Sequence, residues 1–188
     1  LRNEKLIIGE QSLFKKAFLL EANLAGADLT NVNFVGANLN RANLKKANLR
    51  DSNLEHAELI QTNFEGAHLW GVNLNQSYLM EANLEGADLF SANLEEADLT
   101  RANLKGASLS IENLRGANLT LANLEDASLS GIFLNEDNLI DLTLPDGTKW
   151  TSETDMERFT DRKHPDFWQS SKHDPLTELQ KGRYRQYS

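Results

Sequence analysis

The chain predicts an all-β solenoid, and three observations carry that prediction. From Phe14 to Leu144 every fifth residue is Leu or Phe, 27 units without a slip. Two residues before most of them stands a small residue, as at Ala22, Ala27, Ala37, Ala42, Ala82, Ala87 and Ala92. Between the two lies Asn or Asp in most units, as at Asn23, Asp28, Asn33, Asn83 and Asp88. A period of five suits neither a helix nor a flat strand. The helix would spread such residues around its axis, and the strand would send them to alternate faces. A chain that turns a corner every five residues brings each Leu and each Ala inward. Such repeats are the first thing to seek in a sequence, because they fix the architecture.

The stretch "ANLEGADLFSANLEEADLT", Ala82 to Thr100, closely resembles the pentapeptide-repeat family, whose signature is A(D/N)LXX. The resemblance covers roughly residues 12 to 144. It implies a right-handed quadrilateral parallel β-helix, with four units per square coil and a ladder of short parallel strands along each face. The end of the repeat, "LPDGTKW", followed by a tail containing "HPDFW", is similar to cyanobacterial members. Elementary reasoning agrees with that fold. A single coil cannot bury its apolar side, but stacked coils share one core, and bonds between coils satisfy the backbone. At ~4.8 Å per strand spacing, just under seven coils make a rod about 32 Å long.

The chain divides into an N-terminal cap at 1–11, the repeat at 12–144, and a C-terminal capping segment with a tail at 145–188. Open solenoid ends expose strand edges and need covering. Leu1, Leu6, Ile7 and Ile8 offer a small cap, as a short helix or an irregular first coil. Within the repeat, glycine recurs just before the small residue, at Gly26, Gly36, Gly66, Gly71, Gly86, Gly106, Gly116 and Gly131, which suits corners needing positive φ. Glu112 and Asp137 put a carboxylate where Ala is usual. Each reads as a local bulge with the side chain turned out, or as a buried functional carboxylate lacking a partner. Ile132, Asp137 and Leu142 suggest that the repeat frays towards its end. Pro145-Asp146-Gly147 is a turn signal. "TSETDMERFTD" reads as a short helix with Thr151 or Ser152 as N-cap and acids in its first turn. Trp150, Phe159, Phe167 and Trp168 stand outside the repeat and read as packing over the last coil, or else as a dimer contact.

Composition narrows the function. A formal charge of −9 argues against nucleic-acid binding, which needs a basic footprint. The chain has no cysteine, so no disulfide or thiolate metal site is expected. No apolar run approaches the ~18 residues of a membrane helix. Starting at Leu1 leaves room for a removed leader; the cytoplasm is favoured, with thylakoid lumen or periplasm if a leader was removed. His56 and His68 fall on different faces, and His164 and His173 lie beyond the repeat. No catalytic residue, metal site or cofactor is assigned, since no triad, ligand cluster, phosphate loop or dinucleotide fingerprint is present in the spacing. The resemblance also implies a non-catalytic protein.

Charge is unevenly spread. Residues 1–50 hold eight basic residues, whereas 51–100 hold none and carry ten acids, among them Glu55, Glu58, Glu65, Glu81, Glu85, Asp88, Glu95 and Glu96. Basic residues return at Arg101, Lys105 and Arg115. This acidic belt reads as a solvated surface with some ladder pairing. A branch of the family supplies an alternative: acidic rods that imitate duplex DNA, inhibit DNA gyrase and confer quinolone resistance. Basic belts on both sides weaken that likeness. The leading expectation is a protein-interaction or scaffolding module with a protein partner, and a homodimer through an end cap is a further expectation. Stacking residues 20 apart puts Trp70 with Phe90 on one outward column and Ile60 with Met80 on the opposite face, where Tyr78 stands beside Met80. These five form the candidate partner surface, because exposed aromatics and Met favour interfaces.

Overall fold

A computed structural model of the chain describes residues 14–110, 114–130, 138–161 and 163–168. The N-terminal cap at 1–11, Glu112, Gly131, Ile132, Asp137, His173 and the tail beyond 168 lie outside the described residues. The described repeat is a parallel β-coil in which the bridging residue of a unit pairs with the one 20 positions on. Phe18 pairs with Asn38, Asn38 with Glu58, Glu58 with Tyr78 and Tyr78 with Asp98. One coil is therefore four five-residue units. Most rungs are single-residue bridges, and three lengthen into strands: β1 Asp88–Leu89, β2 Ser108–Ser110 and β3 Ser128–Ser130, parallel in the order β1-β2-β3.

The hydrogen bonds explain why the strands are so short. In each unit the residue before the core Leu bridges both ways: Asn38 N–H donates to Ala17, and its carbonyl accepts from Leu19. The chain then turns, with Ala22 N–H donating to the Leu19 carbonyl. Among the described residues the amide just after the core Leu has no backbone partner, and in most units whose slot holds Asn or Asp that side chain meets it. Asn33 Oδ1 accepts from Val35 N–H at 3.0 Å, and Asn63 Oδ1 accepts from Glu65 N–H at 3.0 Å. The Asn of the signature is thus a local substitute for a missing ladder bond.

The corner needs positive φ in every unit, as in a type II turn. Glycine supplies it at Gly86 (+63°), but Glu21 (+58°), Arg101 (+59°) and Leu121 (+61°) adopt it as well. Glycine marks these corners without being required by them, because neighbouring coils hold the whole ladder in register.

The Leu and Ala columns form the core. Leu39, Leu59, Leu79 and Leu99 are fully buried, as are Ala42 and Ala82. Phe14 and Phe34 stack one coil apart with ring centroids 5.2 Å apart. Three polar residues fill small-residue slots without leaving an orphan. Ser52, Thr62 and Ser77 donate to the carbonyls of Leu29, Leu39 and Leu74 at 2.6–2.8 Å.

Beyond residues 131–137, which lie outside the described residues, Leu139, Leu142 and Leu144 are buried in the core. The chain then reverses at the expected turn: Gly147 N–H donates to the Leu144 carbonyl, and Thr143 pairs antiparallel with Lys149. The expected helix is shorter and later than its sequence suggested. α1 spans Glu157–Thr160 with Met156 at its N-cap and no side-chain cap bond. Thr151 and Thr154 instead close their own turn, while Asp155 Oδ1 accepts from Glu157 N–H. Phe159 is buried with the core, and Trp150, Met156 and Trp168 pack against it. Phe167 is only half-buried. Among the described residues no helix is long and apolar enough to cross a membrane.

Candidate interaction faces

The 20-residue register sorts outward residues onto four faces. Face A follows Leu19, Leu39, Leu59 and their successors; faces B, C and D follow Leu24, Leu29 and Phe34 in the same way. Trp70 and Phe90 belong to face C, and Ile60, Tyr78 and Met80 to face A.

Face C is less available than its sequence suggests. Trp70 and Phe90 are half-buried, and the Arg50 guanidinium carbon lies 4.9 Å from the Trp70 ring centroid. That is a cation–π contact along the column. Face A is different. Among the described residues, the exposed large hydrophobics are Phe18, Leu20, Tyr78, Leu121 and Ile140, and every one lies on face A or its corner. Phe18 is 91% exposed, Ile140 58% and Tyr78 50%; Ile60 and Met80 lie half-buried between them. Local chemistry sharpens this. Tyr78 occupies a slot normally filled by Asn or Asp, so it cannot offer Met80 N–H the usual carboxamide oxygen, and no bond of that kind reaches Met80 among the described residues. An aromatic stands there without the hydrogen bond that explains the slot.

The acidic belt is not a free track of charge. Glu65 pairs with Lys45 at 2.8 Å, Glu81 with Arg101 at 3.9 Å and Glu95 with Arg115 at 3.9 Å. Glu58 accepts from Asn38 and Asn40, Glu85 from Asn103 and Glu96 from Gln76. Asp88 Oδ1 accepts from Phe90 N–H, and Glu55 lies 3.8 Å from His56. Bases from flanking coils, and amides both within and beside the belt, thus engage its carboxylates.

One cluster escaped the sequence reading. Asp155, Glu157 and His164 place ligand atoms within 4.8 Å of one another. Nothing in their spacing signalled this, since Asp155 precedes α1, Glu157 begins it and His164 comes from the irregular segment after it. The geometry is that of a fastening. His164 Nδ1 accepts from Asp166 N–H at 3.2 Å, so the ring proton sits on Nε2, 3.1 Å from Asp155 Oδ2. The nitrogen facing the carboxylates is a donor here, and ligating a metal through it would require that proton to leave.

The sequence matches the family description "Pentapeptide repeat region" over residues 8–84 and "Pentapeptide repeats (8 copies)" over residues 92–135. Together these matches span more than half of the chain, which belongs to the pentapeptide-repeat family. The family's fold is a right-handed β-helix, and its members are generally non-enzymatic. Among solved structures, the chain is similar to HetL, a pentapeptide repeat protein involved in heterocyst differentiation regulation from the cyanobacterium Nostoc sp. strain PCC 7120. Identity is 36% over 72% of this chain and 67% of HetL, with a TM-score of 0.44. It is also similar to alr5209, a pentapeptide repeat protein from Nostoc, at 36% identity over 47% of this chain and 70% of that one, TM-score 0.44. QnrB1, a plasmid-mediated fluoroquinolone resistance protein, is 19% identical in a trypsin-treated form over 72% of this chain and 79% of its own, TM-score 0.40. No curated protein sequence matches the chain.

Proposed function

We propose that the chain is a non-catalytic protein-interaction or scaffolding module that works through face A of a rigid rod. In this reading the coil is square in section and right-handed, and Trp150, Phe159 and Trp168 close its C-terminal end. The observation that carries the proposal is the gathering of the exposed large hydrophobics on one face. These residues are spaced along the face with Asn38, Asn40, Glu58, Asp98, Asn118 and Asn138 among them, a mixed apolar and polar surface of the kind interfaces use. A β-solenoid face is also stiff, so an interface built on it loses little entropy on binding.

The test compares two faces of one rod. Tyr78→Ser with Met80→Ser should weaken retention of a protein partner from native lysate. Trp70→Ser with Phe90→Ser should weaken it less, and both should melt near the parent. Equal retention by both double variants would remove face A from the function.

The acidic belt favours a second reading, a duplex-DNA mimic acting on a topoisomerase, because residues 51–100 contain no Lys or Arg. The paired carboxylates Glu65, Glu81 and Glu95 weigh against it, since a mimic needs unpaired charge at phosphate-like spacing. A gyrase supercoiling assay tests it: micromolar protein without inhibition removes this reading.

A further inference from the structure

We infer that face A is self-complementary and that two copies pair through it side by side, running in opposite directions. This rests on face A being the interaction surface and names its occupant as a second copy of the chain. The corner column of that face reads Glu21, Arg41, Gln61, Glu81, Arg101. Reversed about Gln61, each acid falls on a base: Glu21 meets Arg101 of the second copy, and Arg41 meets Glu81. A two-fold axis through the Gln61 coil builds this arrangement, because an isologous interface sets residue i on j and j on i.

The same charges also form a ladder within one chain, so the quality of that ladder matters. On face B the ladder pairs are close, with Lys45–Glu65 and Lys105–Glu125 both at 2.8 Å. On face A the ion pairs are longer, Arg41–Glu21 at 3.5 Å and Arg101–Glu81 at 3.9 Å with the Arg side chains 62% and 63% exposed, although Arg41 Nε also donates to Gln61 Oε1 at 3.2 Å and Gln61 Nε2 to Glu81 Oε2 at 2.8 Å. The face A cations hold their own chain's acids loosely and present themselves outward. Beside this column the axis sets Ile60 against its own copy, an apolar contact at the centre, and Tyr78 against Asn38, a hydroxyl against a carboxamide. Four pairings oppose the arrangement: Phe18 faces Asp98, Leu20 faces Thr100, Met80 faces Asn40, and Glu58 faces its own copy. The Glu58 carboxylate is spread over bonds from Asn38 and Asn40 at 2.8 and 3.0 Å, which lessens the repulsion. Five overlapping coils at ~4.8 Å each give a contact about 24 Å long, the scale of a weak, reversible dimer.

Sedimentation velocity across a concentration series, with the full chain, tests the pairing. The parent should show reversible monomer–dimer exchange. Arg41→Glu should weaken it by about tenfold or more, since it sets like charges opposite one another twice. Adding Glu81→Arg to that variant should restore the dimer, and Glu58→Gln should tighten it several-fold; melting curves confirm that each variant is folded. A parent that stays monomeric at every concentration, or a double charge reversal that fails to restore what Arg41→Glu loses, overturns the pairing. If the parent is monomeric yet Tyr78→Ser with Met80→Ser still loses a captured protein, self-pairing alone fails. If neither effect is seen, face A itself is wrong.

Discussion

At the scale of single residues, the signature Asn joins local and inter-coil bonding. Asn73 shows both: its Oδ1 accepts from Asn75 N–H at 3.1 Å, and its Nδ2 donates to Asn53 Oδ1 one coil below at 3.2 Å. Asn73→Ala removes both and leaves a half-buried amide without a partner. Chemical denaturation should show a loss of about 1–2 kcal/mol. Lys105 gives a prediction with a definite sign. Its hydrogen bond to Glu125 at 2.8 Å raises its pKa, against a smaller opposing effect of desolvation and with help from the charges of Glu125, Asp126 and Glu85. A raised lysine pKa means the pair's stabilisation is whole below the unfolded value, ~10.4, and is lost as pH rises through the folded one. An NMR titration of the Lys105 side chain should give a midpoint above that value, and Glu125→Gln should lower it. A midpoint unmoved by Glu125→Gln would remove the pair as the cause.

At the scale of the five-residue element, the corner sets a backbone requirement that side chains meet unequally. Gly86 has φ +63°, and a Cβ there would meet nothing within 4 Å, so Gly86→Ala isolates the backbone term, about 1 kcal/mol. At Gly71 a Cβ would press on Asp51 Oδ1. Gly71→Ala should therefore cost more, and Asp51→Ala in the same chain should bring the loss back to the Gly86 level. Thermal denaturation of the three variants checks the order. This element was the most legible part of the molecule, because its period of five belongs to no other backbone form. Its Leu, Ala and Asn slots could each be assigned from the sequence. What the sequence withheld was exposure. Trp70 and Tyr78 both enter the candidate surface by sequence, yet the Arg50 side chain lies over the Trp70 ring while Tyr78 is 50% exposed. The Phe18–Leu20 pair, Leu121 and Ile140 stand far apart in sequence, and no single stretch sets them together. Carrying the 20-residue stacking through the whole rod, rather than through one stretch, would have set them on one face. The Asp155–Glu157–His164 cluster had no signal of that kind, because an irregular loop carries no period.

At the scale of the whole molecule, four units per coil make every side of the core equivalent while the outer faces differ. That separates folding from recognition. Deleting Ala42–Lys46, one complete unit, joins Arg41 to Ala47 and leaves every Leu and Ala in an inward slot. The core should therefore close, with a modest fall in melting temperature from one lost unit of packing and the lost Lys45–Glu65 pair. Every later residue, however, moves one unit around the coil. Glu21 and Arg41 stay on face A, while the register that held Gln61, Glu81 and Arg101 is taken by Gly66, Gly86 and Gly106. The apolar residues of face A are separated as well, since Ile60, Tyr78 and Met80 turn away from the face that keeps Phe18 and Leu20. A function that lives on one stacked face must be lost, whereas one that lives in the local sequence from Ala67 to Phe90 must survive, because that stretch is intact. Circular dichroism with sedimentation velocity reads both consequences in one sample. A folded deletion variant that no longer pairs or captures a partner supports the face. A folded variant that keeps both assigns recognition to the local stretch, and a variant that fails to fold overturns the equivalence of the four sides.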